Sequence, residues 1–450
     1  MPSLRDIARE HTDPALEVLR TMLRQPSVAA TGEGVAACAA LVRGAFEEAG
    51  ATVALHQEGD AAPIVIAEFP GEGERTLLFY DHYDVQPADP LGEWTSPPFE
   101  PVVRDGRLYA RGVADNKGDL VTRLAAVRAL KAAHGRLPCR VKFLVEGEEE
   151  IGSPNFGSYV KAHADALRSD ACIWESGQRD LKERLQITTG IKGICYLDLE
   201  LHATSRDLHS SLGAVVEGAG NRMAWALASL KDPVTGRVLV EGFYDRVREP
   251  SAREIEATRK IPFDEPELKA HVGVERFIGG ATGFDAVMRL LYQPTCTVCG
   301  LDSGYTGEGS KTVLPRRARA KVDFRLVPDQ DPDEIAALVE AHFKKLGIEI
   351  TASLLGGERA YRTDLDDPFV SLVTGVAGEA TGREVKLYPT SPGTGPMYDL
   401  GAALGVPVVS VGGSYWGSRA HAPDENIRLA DFEETIYLIA RVIERFAGRP

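Results

Sequence analysis

Five short stretches of this chain carry the residue types that metal-assisted hydrolysis needs: carboxylates and histidines just past apolar runs, where a rigid strand can deliver them. In Tyr80-Asp81-His82-Tyr83-Asp84, extended backbone puts His82 and Asp84 on one face. His82 can ligate a cation while Asp84 holds its other ring nitrogen, which sets tautomer and basicity. Asp115 precedes an Ala- and Leu-rich helical stretch. Its carboxylate can bridge two cations or simply cap that helix. Glu146, Glu148, Glu149 and Glu150 crowd four carboxylates into five residues behind an apolar run. Such crowding is unfavourable unless protons or cations relieve it. Two adjacent glutamates there can divide the work, one on metal and one as general base. Glu175 follows the run Ala171 to Trp174, and His421 lies in a loop after Val406 to Val411. A lone loop histidine is ordinarily just solvated, so His421 matters only in company. Two histidines and three carboxylates, with Asp115 shared, suffice for two cations about 3.5 Å apart with a water between them.

The elements that must position these groups can be read from the apolar patterning. Amphipathic helices are expected at Pro14 to Leu23 and Ala36 to Glu48, the second closed by Ala49-Gly50. Strand-length apolar runs follow at Ile64 to Phe69, Thr76 to Tyr80, Arg140 to Val145 and Ala171 to Trp174, with helices at Leu120 to Ala133 and Asn155 to Ala166. This alternation predicts an α/β layer with a central sheet. The pattern changes at Gly193. Ile194 to Ala203 alternates apolar with polar, as a half-exposed antiparallel strand does. A helix at Asn221 to Leu230 follows, then strands at Lys311 to Pro315 and Ala318 to Leu326, a helix at Asp333 to Leu346 and a strand at Ile348 to Leu354. These describe a small α+β sandwich. Near Asp364 the first pattern resumes, with helices at Pro368 to Thr381, Met397 to Leu404 and Asp431 to Phe446 and a strand at Val406 to Val411. The expected organisation is a catalytic α/β domain in two pieces, 1–193 and 363–450, around an inserted α+β domain, 194–362.

Composition narrows the function classes. With 44% hydrophobic and 26% charged residues in 450, a packed core of two or three domains is expected. A formal charge of −15 argues against nucleic acid as a partner, since phosphate binding needs clustered Lys and Arg. No run reaches the roughly 18 apolar residues of a spanning helix, and charges are scattered through the N-terminal stretch, so neither a membrane partner nor a secretory signal is expected. Six scattered cysteines, with Cys296-x-x-Cys299 lacking a second pair, read as thiols of a cytoplasmic protein. There is no G-x-S-x-G elbow, no H-E-x-x-H and no dinucleotide fingerprint, and Gly309-Ser310-Lys311-Thr312 lacks the adjacent Gly-Lys of a P-loop.

Over nearly its whole length the sequence resembles the aminoacylase/carnosinase-type co-catalytic zinc metallopeptidases, which include dipeptidases, carboxypeptidase G and the acetylornithine and succinyl-diaminopimelate deacylases. The resemblance is carried by DHYDVQPAD, WTSPPFEPVVRDGRLYARGVADNKG, EGEEEIGS, GICY, RDLHSSLG, GSKTVLP and DFRLVPD. It implies a zinc-exopeptidase-type catalytic domain with an inserted lid and dimerisation domain. It implies two divalent ions, zinc foremost with manganese or cobalt as substitutes. His82, Asp115 and Glu175 would hold one ion, and Asp115, Glu150 and His421 the other. Glu149 matches the general base and Asp84 the histidine-orienting carboxylate. A cis peptide is implied after Asp115. His209 matches a histidine that reaches across a homodimer to polarise the scissile carbonyl. Arg325 matches a residue binding the substrate carboxylate, with Thr312 and Gly395 lining the pocket.

The expected activity is hydrolysis of the amide bond of dipeptides or small peptides with a free carboxylate. One departure keeps the substrate open. The dipeptidase branch tends to carry Asp where this chain has Glu175, which resembles the deacylase and carboxypeptidase branch, whereas DHYDVQP and RLVPD resemble the dipeptidases. N-acyl amino acid deacylation is therefore the alternative. A metal-binding protein without catalysis is a third reading, against which the full ligand set and Glu149 stand.

Overall fold

A computed structural model describes residues 2–449. The chain forms two compact units. One comprises Met1–Gly190, Arg362–Pro389 and Pro396–Pro450, and the other Ile191–Tyr361 and Thr390–Gly395. The sequence-derived breaks at 193/194 and 362/363 fall within a few residues of these. The short segment 390–395, which the sequence reading leaves with the C-terminal piece, belongs to the second unit.

The first unit is built on a ten-stranded mixed sheet. Its middle is four parallel strands in the order Arg140–Glu146, Thr76–His82, Ala171–Trp174 and Val408–Ser410. Parallel central strands are covered on both faces and so read as unbroken apolar runs. All seven residues of Thr76–His82 are buried. The register pairs Thr76 with Arg140 and His82 with Glu146, so the carboxyl ends of the strands lie level. In sheets of this kind ligands bind beyond those ends. The antiparallel strands Ile64–Phe69 and Thr52–His56 extend the sheet on one side. Leu185–Thr188, flanked by Val385–Tyr388 and Gln178–Arg179, extends it on the other. Helix Lys117–His134 is buried along most of its length and ends at Gly135 in a left-handed cap. The long C-terminal helix Leu429–Phe446 presents Phe432, Ile436, Ile439 and Ile443 to the same core.

The second unit is a four-stranded antiparallel sheet in the order Thr297–Ser303, Arg317–Leu326, Gly193–His202, Thr351–Glu358. Cys195, Leu197, Leu199 and Leu201 alternate inward and are fully buried. They pack with Met223 and Ala226 of helix Ala219–Ser229 and with Val339 and Phe343 of helix Pro332–Lys345.

The structure corrects several expected elements. Lys311 to Pro315 is not a strand of this sheet: only Val313–Leu314 is extended, paired with Leu208–His209. The outer strand is Thr297–Ser303, where Gly300 and a register shift break the alternation that marks a strand. The strand expected to start at Ile348 starts at Thr351 and runs to Glu358. Asn155 to Ala166 is two short helices, broken at His163. Helices Ala252–Arg259, Glu265–Val272 and Gly283–Tyr292 fill a region without expected elements. Among the described residues no helix is long and apolar enough to cross a membrane.

Candidate active site

The chemistry-bearing residues of the first unit converge at the carboxyl ends of its central strands. His82 is the last residue of Thr76–His82 and is fully buried. Glu175 directly follows Ala171–Trp174. Glu149 and Glu150 open a single helical turn, Glu149–Ile151, just past Arg140–Glu146. Asp115 ends the loop that enters helix Lys117–His134. His421 lies in the loop after the two-residue strand Ser414–Tyr415, with a left-handed φ of 62°.

These side chains form two triads that share one carboxylate. His82 Nε2 lies 3.1 Å from Asp115 Oδ1 and 3.1 Å from Glu175 Oε2. His421 Nε2 lies 3.1 Å from Asp115 Oδ2 and 3.2 Å from Glu150 Oε2. Asp115 thus turns one oxygen to each histidine. It does not cap the helix, whose N-cap position is Asn116. The peptide bond Asp115–Asn116 is cis.

On its other side His82 Nδ1 lies 3.1 Å from the Asp84 carbonyl and 3.3 Å from Asp84 Oδ1. A proton on Nδ1 is thereby satisfied, which leaves Nε2 as the nitrogen that could ligate a cation. The second oxygen of Asp84 accepts the Glu150 N–H at 2.9 Å, so one side chain orients a residue of each triad.

The acidic turn divides by environment. Glu146 accepts from Tyr80 Oη at 2.6 Å and from Ser153 Oγ at 3.0 Å. Glu148 accepts from the Ala62 N–H and from Asn155. Both are engaged in holding the chain. Glu149 instead lies close enough to the triads to feel their charges. Burial, then the charges of Glu175, Asp115 and Glu150, push its carboxyl well above the usual carboxylate range, with His82 opposing. Hydrogen bonds to Asp115 and Glu150 raise His421 to about 10. Burial alone would deprotonate His82, but Glu175, Asp115 and Asp84 outweigh it and hold it up.

Such a cluster fits a pair of divalent cations. Apart from its ion pair with His82, the buried Glu175 Oε2 has no hydrogen-bond partner. Asp115, Glu150 and His421 offer ligand atoms all within 4.8 Å of one another. Carboxylate oxygen and neutral imidazole are the donors that Zn²⁺ and Mn²⁺ take.

The remaining expected site residues lie in the second unit. His209 is exposed and ends the two-residue strand Leu208–His209. Its Nδ1 accepts the Ser211 N–H at 3.1 Å, so in the neutral ring Nε2 carries the proton and is free to donate. Thr312 Oγ1 stands 3.5 Å from that Nε2. Arg325 Nη1 donates to Thr394 Oγ1 at 2.5 Å, beside Gly395.

Several contributors escape the sequence reading. Gln86 Nε2 donates to Glu150 Oε2 at 2.9 Å. Its position two residues beyond Asp84 in an extended run was the available signal. Arg123, fully buried, donates to the Tyr80 and Trp174 carbonyls, next to the ligand-bearing strand ends. Glu425 holds the Asp115 loop.

Residues 78–445 match the profile of peptidase family M20/M25/M40. The Beta-Ala-His dipeptidase of Homo sapiens is 32% identical over 286 residues, 63% of this chain and 56% of that protein. The Cys-Gly metallodipeptidase of Schizosaccharomyces pombe is 29% identical over 64% of this chain and 62% of its own length. The chain spans less than two thirds of the length of these curated relatives. The crystal structure of an M20 family metallo-carboxypeptidase from Sulfolobus solfataricus superposes with a TM-score of 0.91 at 39% identity, covering 96% of this chain and 99% of that one.

Proposed function

The chain belongs to peptidase family M20/M25/M40, and on that premise we propose that it is a two-metal hydrolase of dipeptides or small peptides with a free carboxylate. One observation carries the reading: the Asp115 carboxylate is divided between two histidine–glutamate pairs, with a fourth acid, the half-buried Glu149, close to them.

His82, Asp115 and Glu175 would hold one cation, and Asp115, Glu150 and His421 the other. Bound there, divalent ions supply Lewis acidity and make water a nucleophile near neutral pH. Zinc is the favoured ion on its donor set, with manganese or cobalt as substitutes. Glu149 takes the proton of the attacking water and returns it to the leaving amine. Its position among other carboxylates suits it to hold a proton between those steps. Asp84 fixes the His82 tautomer and the Glu150 backbone together.

We assign roles in substrate recognition to the second unit. Arg325, kept in place by Thr394, would pair with the substrate carboxylate, with Thr312 and Gly395 lining its pocket. The proton on His209 Nε2 suits it to donate to an oxyanion. We also propose that this unit carries a homodimer contact. Its outer strand Thr297–Ser303 ends the sheet, with Val298 and Leu301 exposed, which supports the assignment. A cytoplasmic location is supported by six free cysteines, five of them buried.

Glu175 favours a second reading, N-acyl amino acid deacylation. A panel of dipeptides and N-acetyl amino acids on metal-reconstituted enzyme separates the two. Glu149→Gln is expected to keep its metal and lose on the order of 10²–10⁴-fold in kcat. Full activity of that variant on every substrate of the parent removes Glu149 as the base. Absence of any turnover with both ions bound leaves only a metal-binding protein.

A further inference from the structure

The Asp115 loop and the His421 loop come from opposite ends of the chain, and they meet at a side chain the proposed reaction does not use. Glu425 is fully buried. Its Oε1 accepts the N–H groups of Ala114 at 2.8 Å and Asp115 at 3.1 Å. Its Oε2 accepts the Gly112 N–H at 2.9 Å and Arg111 Nη1 at 2.8 Å. A buried carboxylate beside Asp115 is tolerable only because it collects these four donors, one of them charged. Three of the four belong to the backbone that delivers Asp115.

The backbone of Glu425 serves the other loop. Its carbonyl accepts the Ala110 N–H at 3.1 Å, and the next residues, Asn426–Arg428, pair antiparallel with Arg107–Tyr109. Four residues earlier stands His421. Within this loop Arg419, His421 and Asp424 all have left-handed backbone, at φ of 56°, 62° and 59°. Residues with side chains hold that conformation only when their surroundings enforce it. Thr95 contributes by donating its N–H and Oγ to Asp424. His82 and Glu175 need no such clamp, because they cap adjacent parallel strands in register, Phe79 opposite Ile173.

We infer that Glu425 is a positioning residue: it sets Asp115 against His421 and so governs the affinity of the cation site made by Asp115, Glu150 and His421. This rests on the two-cation reading of the centre. The site of His82, Asp115 and Glu175 depends on Glu425 much less, since two of its three ligands are fixed by the sheet.

The test titrates Zn²⁺ into the metal-depleted full chain by calorimetry with chelator competition, beside Glu425→Gln and Glu425→Asp. Glutamine keeps the shape but turns an NH₂ group toward backbone donors. The E425Q chain is expected to keep one Zn²⁺ and to bind the second about 10–100-fold more weakly, with the circular dichroism of the metal-depleted chain unchanged. E425D keeps the charge but reaches fewer donors, and is expected to lie between E425Q and the parent. Two ions held by E425Q as tightly as by the parent, or both weakened in parallel, overturns the inference. Should E425Q not fold, E425D decides by the same split: selective weakening of one ion supports the assignment, and parallel or no weakening overturns it. A parent chain that binds fewer than two Zn²⁺ overturns the two-cation reading instead.

Discussion

Replacing Arg123 with methionine should destabilise the first unit by about 5 kcal/mol, a figure that follows from what the guanidinium touches. Arg123 donates to Tyr80 O at 2.7 Å, Asp81 Oδ1 at 2.6 Å, Trp174 O at 2.7 Å and Val411 O at 3.3 Å. Arg123 and Asp81 are both fully buried. Removing one partner of a buried ion pair costs about 3–5 kcal/mol. Burial already pushes Asp81 up to about 7, with Arg123 pulling the other way. In the variant Asp81 therefore takes a proton at neutral pH, which holds the pair's share near the lower limit of ~3 kcal/mol. The three carbonyls left without a donor add about 1 kcal/mol each at most, less where they re-pair. At roughly 2 °C per kcal/mol the melting temperature should fall by about 10 °C. Urea unfolding of the metal-depleted chain, followed by tryptophan fluorescence, reads the loss close to its source. Trp174 stacks on Tyr80 with ring centroids 3.7 Å apart, beside the altered bonds. Adding Asp81→Asn should recover part of the loss, because the orphaned acid is then gone. A loss below ~1 kcal/mol for Arg123→Met, or no recovery in the double variant, would refute the argument that this buried arginine ties the strand ends together.

Three further outcomes follow from the geometry. Lys192 is buried, donates to the Gln293 carbonyl at 2.6 Å, and is lowered to about 8 by burial and then by Arg325. Between about 8 and the unfolded value near 10.5 the unfolded chain holds the extra proton. The parent therefore gains up to ~3 kcal/mol as pH rises through that window, and Lys192→Met, which lacks this gain, should compare best with the parent near pH 7 in urea titrations at pH 7 and pH 10. Stripping metal with a chelator should lower the thermal midpoint, since each ion held at a hundred-fold excess over its Kd contributes about 2.7 kcal/mol; an unchanged midpoint would speak against metal in the folded state. Cys299 is the one exposed cysteine of six, so a thiol reagent should modify one group in the native chain and all six in denaturant.

The elements that carry the candidate ligands were legible because their signals are local. The run Thr76 to Tyr80 has the length and apolar character of a strand covered on both faces, and that puts His82 at its end. The alternation of Ile194 to Ala203 likewise announces one wet and one dry face. Glu425 and Arg123 were not legible, because what distinguishes them is a set of partners far along the chain. Glu425 bonds the Asp115 N–H across 310 residues, and Arg123 bonds the Val411 carbonyl across 288. In sequence Glu425 is one more acid in a polar loop. Thr297–Ser303 failed for a different reason: an exposed edge strand with a glycine shows no periodicity to read. Helix Ala252–Arg259, by contrast, carries the local signal of a capping box, Ser251 with Glu254, within a highly charged stretch.

The place of Val408–Ser410 in the sheet has a consequence for how the protein is made. It lies between Ala171–Trp174 and Leu185–Thr188, so the first 190 residues emerge from the ribosome with a slot in the middle of their sheet. The strand that fills it is synthesised roughly 220 residues later, a delay of roughly 10–50 s at ordinary elongation rates. Through that interval the growing chain has His82, Asp115 and Glu175 but not His421, and one side of Ala171–Trp174 stays unpaired. Nascent chains of this protein therefore pass through a stage at which only one of the two proposed ion sites has its full complement of side chains, and in which a buried strand is open to wrong partners. Arrival of residues 408–421 fills the slot and brings His421 to Asp115 and Glu150 in the same event.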